Sequence, residues 1–292
     1  MREQFLEKTF KARSVAIIHK ANEIIEEYTA AGYTLTLRQL YYQFVARDLL
    51  ENSQQSYKRL GSVINDARLA GLISWTAIED RTRNLQKLSL WDSPREILEI
   101  ARDSYRINKW KDQPYYPEVW IEKEALVGVI AQICDELEVP YFACRGYTSQ
   151  SEQWGAGKRF HKASNNGQKG IVLHLGDHDP SGIDMTRDNS DRLDLLSRYS
   201  GVVVRRLALN YDQIEEYNPP PNPAKMTDSR FEGYSIKYGD SSWELDALEP
   251  RVIRDLIEEE VLKLRDERLW NEAVKKQEEE REQLNSFIET LE

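Results

Sequence analysis

The stretch LHLGDHDPSGIDM, residues 173–185, decides the fold that the sequence predicts. The apolar run 171–173 leads toward two aspartates, Asp177 and Asp179, and a proline and a glycine then break the pattern. A short apolar run bounded by turn-forming residues is typical of a buried strand in a parallel sheet. Ligands bind beyond the carboxyl ends of such strands, so the two carboxylates stand where a binding site is expected.

Strands and helices alternate through the middle of the chain, which predicts an α/β fold with a parallel sheet covered on both faces. The predicted strands are 118–121, 140–144, 170–175 and 202–209, and the predicted helices between them are 123–137, 149–163 and 183–199.

The N-terminal third predicts helices instead. Residues 3–29 carry apolar side chains at helical spacing, and the capping box Thr36–Gln39 opens a helix that we expect to reach about Leu50. A third helix is predicted over 53–70, and residues 72–75 predict a short strand. Three helices followed by a strand are the pattern of a winged-helix or helix-turn-helix module.

Composition points to a protein of the cytoplasm. No apolar run approaches the ~20 residues of a membrane span, and the N-terminal residues lack the apolar core of a secretory signal. Cys134 and Cys144 are too few for a disulfide framework or a zinc site. We therefore expect a cytoplasmic protein with reduced thiols and no membrane partner.

Charge is distributed unevenly along the chain. The net charge is −10, but residues 1–112 carry 18 Lys and Arg against 15 Asp and Glu. The acidic excess lies in residues 113–254 and in the charged tail, which we expect to form a solvated helix or short coiled coil. An acidic middle suits a cation site, and a mildly basic front can meet phosphate.

A third carboxylate belongs to the same predicted sheet edge. Glu122 follows the strand EVWI, as Asp177 and Asp179 follow theirs. Carboxylate oxygens are the ligands that Mg²⁺ prefers, so three of them at one edge predict a magnesium site. The alternative is that Asp177 and Asp179 cap the next helix, because Asp-x-Asp-Pro-Ser-Gly is also a good turn sequence.

Four segments carry a resemblance to a known family. They are WIEKEAL (120–126), LGDHDPSG (175–182), LTLRQLYYQFV (35–45) and SWELDAL (242–248). The first two resemble the Toprim domain of topoisomerases, primases and nucleases. The four together resemble most closely the A subunit of topoisomerase VI and the meiotic double-strand-break transesterase.

The resemblance implies an N-terminal winged-helix domain, a Toprim-type parallel-sheet domain and a charged C-terminal helix. The boundaries expected are an N-terminal helix over 1–33, a winged-helix-like DNA-binding domain over 34–112, a Toprim-like metal-binding domain over 113–250 and a charged helical tail over 251–292.

The resemblance also implies catalytic roles. Tyr42 takes the position of the family's nucleophile, which attacks a DNA phosphate and becomes linked to the 5′ end. Arg38 lies one helical turn before it and can hold a phosphate and ease loss of the phenolic proton. Glu122, Asp177 and Asp179 take the positions of the Mg²⁺ ligands, with Glu122 also a general acid. The alternative is that Tyr42 simply packs.

Basic side chains are the predicted DNA contacts. An ordinary charged helix face is the alternative for those on the third helix, and a solvated surface position is the alternative for Lys123. The predicted contacts are Lys58, Arg59, Arg68, Arg81, Arg83, Lys123 and Arg145.

The partners implied are double-stranded DNA, a second copy of the chain in a homodimer, and a separate ATPase or accessory subunit. The family's G-x-P-D segment is replaced here by RGYTSQSEQWGAG (145–157), and the chain has no GxxxxGK[ST] loop for ATP. Three functions stay open: tyrosine transesterification, a Toprim nuclease with metal-activated water, and a noncatalytic DNA-binding protein with a degenerate Toprim fold.

Overall fold

The computed structural model describes residues 2–30, 32, 34–79, 88 and 90–290, and within them the fold is mixed α/β. The longer helices are α1 (Ala12–Ala30), α2 (Leu37–Ala46), α3 (Gln54–Leu69), α4 (Pro94–Ser104), α5 (Val127–Glu136), α6 (Gln150–Asn165), α7 (Pro180–Leu196), α8 (Tyr211–Tyr217), α9 (Phe231–Tyr238), α10 (Pro250–Leu264) and α11 (Glu267–Glu289). The strands are β1 (Tyr115–Ile121), β2 (Tyr141–Ala143), β3 (Lys169–Leu175), β4 (Val203–Ala208), β5 (Asn222–Pro223) and β6 (Ser241–Ser242). Two 3-10 turns, Glu124–Leu126 and Leu245–Ala247, complete the secondary structure.

The parallel sheet has the strand order β2-β1-β3-β4. Its register sets Ile121 beside Leu175 and Ala143, so β1, β2 and β3 end at the same edge. The two-residue strands β5 and β6 pair separately as an antiparallel ribbon. The predicted parallel sheet is therefore confirmed, and the edge that it creates lies directly before Glu122 and Gly176.

Helices cover both faces of the sheet, which explains why its strands read as continuous apolar runs. On one face, Val119 and Leu173 pack with buried residues of α5 and α10. On the other face, Trp120 and Val172 pack with Phe160 of α6 and with α7. The helix α10, at the start of the expected charged helical tail, is built into the core of the sheet.

A second core joins α1, α2 and α3. It contains fully buried Ile24, Leu40 and Leu60, one from each helix. The capping box of α2 is confirmed, because Thr36 Oγ1 accepts the N–H of Gln39 and the Gln39 side chain accepts the N–H of Thr36. The helix ends at Ala46, earlier than predicted.

Two local predictions in this region are wrong. The first helix begins at Ala12 rather than near residue 3, because the N–H groups of residues 5–6 donate to the carbonyl of Leu69 at the end of α3. Residues 72–75 form no strand within the described part of the chain. Gly71, at φ +72°, turns the chain there, and a Cβ on it would lie 3.1 Å from Gln4.

The C-terminal helix α11 lies against α4. Arg102 donates to Asn285 at 2.5 Å, and the Tyr105 hydroxyl donates to Glu280 at 2.7 Å. Among the described residues, no helix combines the length and the apolar character that a membrane crossing needs.

Candidate catalytic site at the acidic edge of the sheet

The three predicted carboxylates all lie at the carboxyl edge of β1 and β3, directly after the strands or at the start of α7. Glu122 Oε2 accepts a hydrogen bond from the Asp177 backbone N–H at 2.9 Å. Asp179 is the N-cap of α7, where its Oδ1 accepts the Gly182 N–H at 2.6 Å and the Ser181 hydroxyl at 2.9 Å. The helix-capping interpretation is therefore correct for Asp179, and the structure also brings Glu122 and Asp177 together.

Two glycines allow the loop between β3 and α7 to fold this tightly. A Cβ on Gly176 would lie 2.9 Å from Glu122 Oε2, and a Cβ on Gly182 would collide with the carbonyl of Asp177. Arg206 of β4 supports the same loop, because it donates to the carbonyls of Gly176 and Asp177 at 2.9 and 2.6 Å. Burial lowers the pKa of Arg206 to about 10.

Lys123 lies among three carboxylates. Its Nζ is 3.0 Å from Asp177 Oδ2, 2.8 Å from Glu244 Oε2 and 2.9 Å from Asp246 Oδ1. The backbone N–H of Leu245 donates to the other oxygen of Asp177 at 2.8 Å. We call Lys123, Asp177, Glu244 and Asp246 the lysine cluster. The solvated-surface alternative for Lys123 is wrong, because only 21% of its side chain is exposed.

Electrostatics within the lysine cluster favour its charged lysine. Burial alone would lower the pKa of Lys123, but the charges of Asp246, Asp177 and Glu244 outweigh burial and raise it. Burial acts to raise the pKa of Glu244, yet Lys123 and Arg38 outweigh it and lower that pKa to about 2. For Asp246 burial prevails, and the pKa is raised despite the same two cations.

Arg38 and Tyr42 of α2 join this cluster from the helical part of the molecule. Arg38 forms ion pairs with Glu244 and with Asp246, the latter at 3.0 Å. The Arg38 guanidinium lies 5.8 Å from the centre of the Tyr42 ring, and the charges of Arg38, Glu244 and Asp246 all act on the pKa of Tyr42. A chain of ion pairs therefore runs from Arg38, beside Tyr42, through Glu244 and Lys123 to Asp177.

The acidity expected for Tyr42 is not observed. Burial, followed by the charges of Asp246 and Glu244, raises the pKa of Tyr42 above its usual range, and Arg38 opposes them only in part. Tyr42 is 3% exposed, nearly the same as Tyr41.

The carboxylates at the edge carry more negative charge than their surroundings neutralise. Burial, followed by the charges of Asp177 and Asp179, raises the pKa of Glu122 to about 7. Burial raises the pKa of Asp177 to about 6, although Lys123 acts in the opposite direction. A carboxyl that titrates near neutral pH can donate or accept a proton in catalysis.

The substitution Glu122→Gln is expected to stabilise the metal-free protein at pH 8. An acid with a raised pKa in the folded state favours folding at low pH, and that contribution is lost as pH rises through the folded pKa. For Glu122 the loss falls between pH 4.5 and about 7. At ~1.4 kcal/mol per pKa unit, Glu122→Gln should raise the free energy of unfolding at pH 8 by about 1–3 kcal/mol.

Urea unfolding in EDTA at pH 8 and at pH 4.5 measures this effect, and the gain should disappear at the lower pH. Glu124→Gln is the matched control, because Glu124 lies in the next turn, partly exposed and paired with Arg145. An equal gain in the free energy of unfolding at both pH values would show that the charge of Glu122 does not destabilise the folded protein.

The donor set is chemically suited to a hard cation such as Mg²⁺, since Glu122, Asp177 and Asp179 offer only carboxylate oxygens. In the part of the chain that the structure describes, however, no three His, Cys, Asp or Glu side chains are grouped so that they could hold a metal ion together. The Lys123 ammonium and the Leu245 N–H already contact the oxygens of Asp177. Metal binding at Asp177 therefore competes with Lys123.

No protein-family model matches this chain, and no curated protein matches it in sequence. The side-chain geometry and the motif resemblance are therefore the basis for any functional assignment.

The predicted DNA contacts fall into different settings. Lys58 and Arg59 are exposed on α3. Arg68 instead supports the loop after α3, donating to the carbonyls of Trp75 and Ile78 at 2.8 and 3.2 Å. Arg81 and Arg83 lie outside the described residues.

Arg145 lies beside a cavity at the end of the edge strand β2. The cavity has a volume of about 880 Å³ and lies between β2 and the start of α6. Arg145 is paired there with Glu124, and 69% of its side chain is exposed.

Sequence reasoning missed Glu244, Asp246 and Arg206 as parts of the site. The segment SWELDAL was noted only for its resemblance, although its two acidic residues are spaced as in the Asp-x-Asp segment. No local signal could have identified Arg206, because its role depends on the neighbouring strand.

Proposed function

We propose that this chain is a magnesium-dependent DNA-cleaving protein similar to the A subunit of topoisomerase VI, with a Toprim-type sheet and a winged-helix-like helical part. The observation that carries the proposal is the chain of ion pairs from Arg38, which lies beside the Tyr42 ring, through Glu244 and Lys123 to Asp177. It joins a tyrosine and an acidic edge that lie in separate parts of the sequence. Phosphoryl transfer from DNA to a tyrosine requires both a tyrosine nucleophile and an acidic site that can hold a metal ion.

The proposed reaction is a transesterification. The Tyr42 hydroxyl loses its proton to solvent and its oxygen forms a bond to a DNA phosphorus. The bond from that phosphorus to the 3′ oxygen breaks, and the tyrosine remains linked to the 5′ phosphate. Arg38 holds the phosphate and stabilises the phenolate. Glu122, which retains its proton to about pH 7, donates it to the leaving 3′ oxygen. Mg²⁺ bound by Asp177 and Asp179, with Glu122 nearby, would supply positive charge at the phosphoryl oxygens.

Tyr42 must become accessible before it can attack, because it is 3% exposed and lies beside Arg38. A DNA phosphate can compete with Glu244 and Asp246 for Arg38, since a guanidinium binds phosphate and carboxylate in the same bidentate way. A homodimer that cuts both strands, and a separate ATPase or accessory subunit, are part of the proposal. Lys58, Arg59 and Arg145 are its exposed candidates for phosphate contacts.

The second candidate function is a nuclease in which metal-activated water cuts the DNA and Tyr42 is structural. The burial of Tyr42 and its raised pKa favour this candidate, because a buried, protonated phenol is a weak nucleophile. Both functions use the acidic edge, so a test of the edge comes first.

The substitution Asp177→Asn is expected to lower Mg²⁺-dependent DNA cleavage by about 100-fold or more, because it removes charge that the metal and the transition state need. Plasmid cleavage with Mg²⁺, and with EDTA as a blank, measures the loss, and titration of Mg²⁺ should show weaker binding. Asp191→Asn is the matched control, since Asp191 lies exposed on α7 in an ion pair with Arg187.

Unchanged cleavage in Asp177→Asn would contradict both enzymatic functions. DNA binding without cleavage by the wild-type chain under every divalent metal would favour the noncatalytic DNA-binding protein.

A further inference from the structure

A cavity beside Tyr42 has no role in the chemistry proposed above. It lies between α2, the start of α3 and the segment that leads into the lysine cluster, and its volume is about 290 Å³. Ligand pockets for small molecules usually measure ~300–1,000 Å³, so this one suits a single flat ring system.

Three tyrosine rings form one wall of the cavity. Tyr41, Tyr42 and Tyr57 all line it. The centre of the Tyr41 ring lies 5.4 Å from that of Tyr42 and 5.3 Å from that of Tyr57, so the rings touch and leave no slot between them. Tyr57 is the half-buried member. A flat ligand would therefore lie against the wall, mainly on Tyr57.

Amide side chains line the same cavity. Asn52, Gln54 and Asn222 supply hydrogen-bond donors and acceptors there. The Asn52 amide donates to Asn222 Oδ1 at 2.7 Å, which fixes the Asn222 side chain. The Asn222 amide group lies 3.4 Å from Glu244 Oε1, a long contact that a better acceptor can replace.

This combination of groups matches one ligand chemistry. An aromatic wall binds a flat π system by stacking, and Asn or Gln amides pair with the hydrogen-bonding edges of nucleobases. Arg38 also lines the cavity, which gives a backbone phosphate a cation next to the base. The arrangement resembles the way proteins bind splayed-out bases of single strands.

We propose that this cavity binds one nucleobase of a DNA strand, stacked on the tyrosine wall and hydrogen-bonded to Asn222 and Gln54. The inference rests on the proposed function in one respect, since it places that base next to the phosphate that Tyr42 attacks. It assigns the cavity a substrate-binding role. The identity of the bound base would then influence which DNA sequences the protein prefers.

The test compares two short single-stranded oligonucleotides, one with normal bases and one with abasic sites throughout, by fluorescence anisotropy in EDTA. Wild-type protein should bind the normal strand about tenfold more tightly than the abasic strand, as expected for one stacked base. Tyr57→Ala should remove that difference in affinity without weakening the binding of the abasic strand. Tyr57→Phe should keep the difference. Tyr199→Ala is the matched control, because Tyr199 is 70% exposed after α7, at the opposite edge of the sheet.

Asn222→Ala is the second variant, since it leaves the aromatic wall intact if Tyr57→Ala unfolds the protein. It should reduce the preference among homopolymer strands of the four bases. Equal affinity of the wild-type protein for the normal and abasic strands would overturn the inference, and so would an equal loss of affinity for both strands in Tyr57→Ala. Neither result would contradict the proposed DNA cleavage. A base-dependent affinity in a protein that cuts no DNA would support the cavity while the proposed function fails.

Discussion

Replacing Tyr42 with phenylalanine is expected to abolish the covalent protein–DNA adduct and to lower cleavage by at least about a thousandfold. The substitution removes the only atom of this side chain that can attack phosphorus and leaves the ring in its buried place. The measurement is denaturation with detergent after incubation with DNA and Mg²⁺, followed by electrophoresis of labelled DNA with and without protease. Wild type should give DNA that is retarded until the protease is added.

Tyr41→Phe is the matched control for this experiment. Tyr41 precedes Tyr42 on α2, and its hydroxyl accepts the N–H of Ser53 at 2.8 Å instead of reaching the lysine cluster. Tyr41→Phe should therefore form the adduct, at some loss of stability. Free 5′ phosphate ends together with undiminished cutting in Tyr42→Phe would contradict the transesterification and establish the nuclease.

Local sequence signals predicted most of the architecture correctly. The capping box at Thr36 is confirmed as a helix start. The four predicted strands of the parallel sheet are present, with ends shifted by a few residues. The meeting of Glu122 and Asp177 was also predictable, because parallel neighbours end at one edge and each residue follows its strand directly.

The remaining features depend on contacts between distant parts of the chain. Residues 3–11 have a helical pattern, but their N–H groups find partners at the end of α3. Lys123 bonds to Glu244 across 121 positions of sequence, so the lysine cluster has no local signature. The raised pKa of Tyr42 follows first from its burial and then from the charges of Asp246 and Glu244, and only the fold produces both.

The substitution Lys123→Met is expected to destabilise the protein by about 3–5 kcal/mol at pH 7, because it leaves buried carboxylates without their shared cation. Methionine fills a similar volume, so the loss reports charge more than packing. Urea unfolding in EDTA measures it. Lys162→Met is the matched control, since Lys162 is exposed on α6, and it should change the free energy of unfolding by less than about 0.5 kcal/mol.

The pH dependence of this loss identifies its cause. Glu244, with a pKa lowered to about 2, contributes stability that is present above its unfolded value of 4.5 and is lost as pH falls toward 2. Lys123→Met removes most of that contribution, so wild type and variant should differ most at pH 7 and converge below pH 4.5. The double substitution Lys123→Met with Asp246→Asn should recover part of the stability at pH 7, because Asp246 is 4% exposed and without Lys123 it loses one of its two cationic partners, keeping Arg38. A loss that stays constant from pH 7 down to pH 3, with no recovery in the double variant, would mean that Lys123 acts through packing. The electrostatic connection between the Tyr42 region and the acidic edge would then lack its central link.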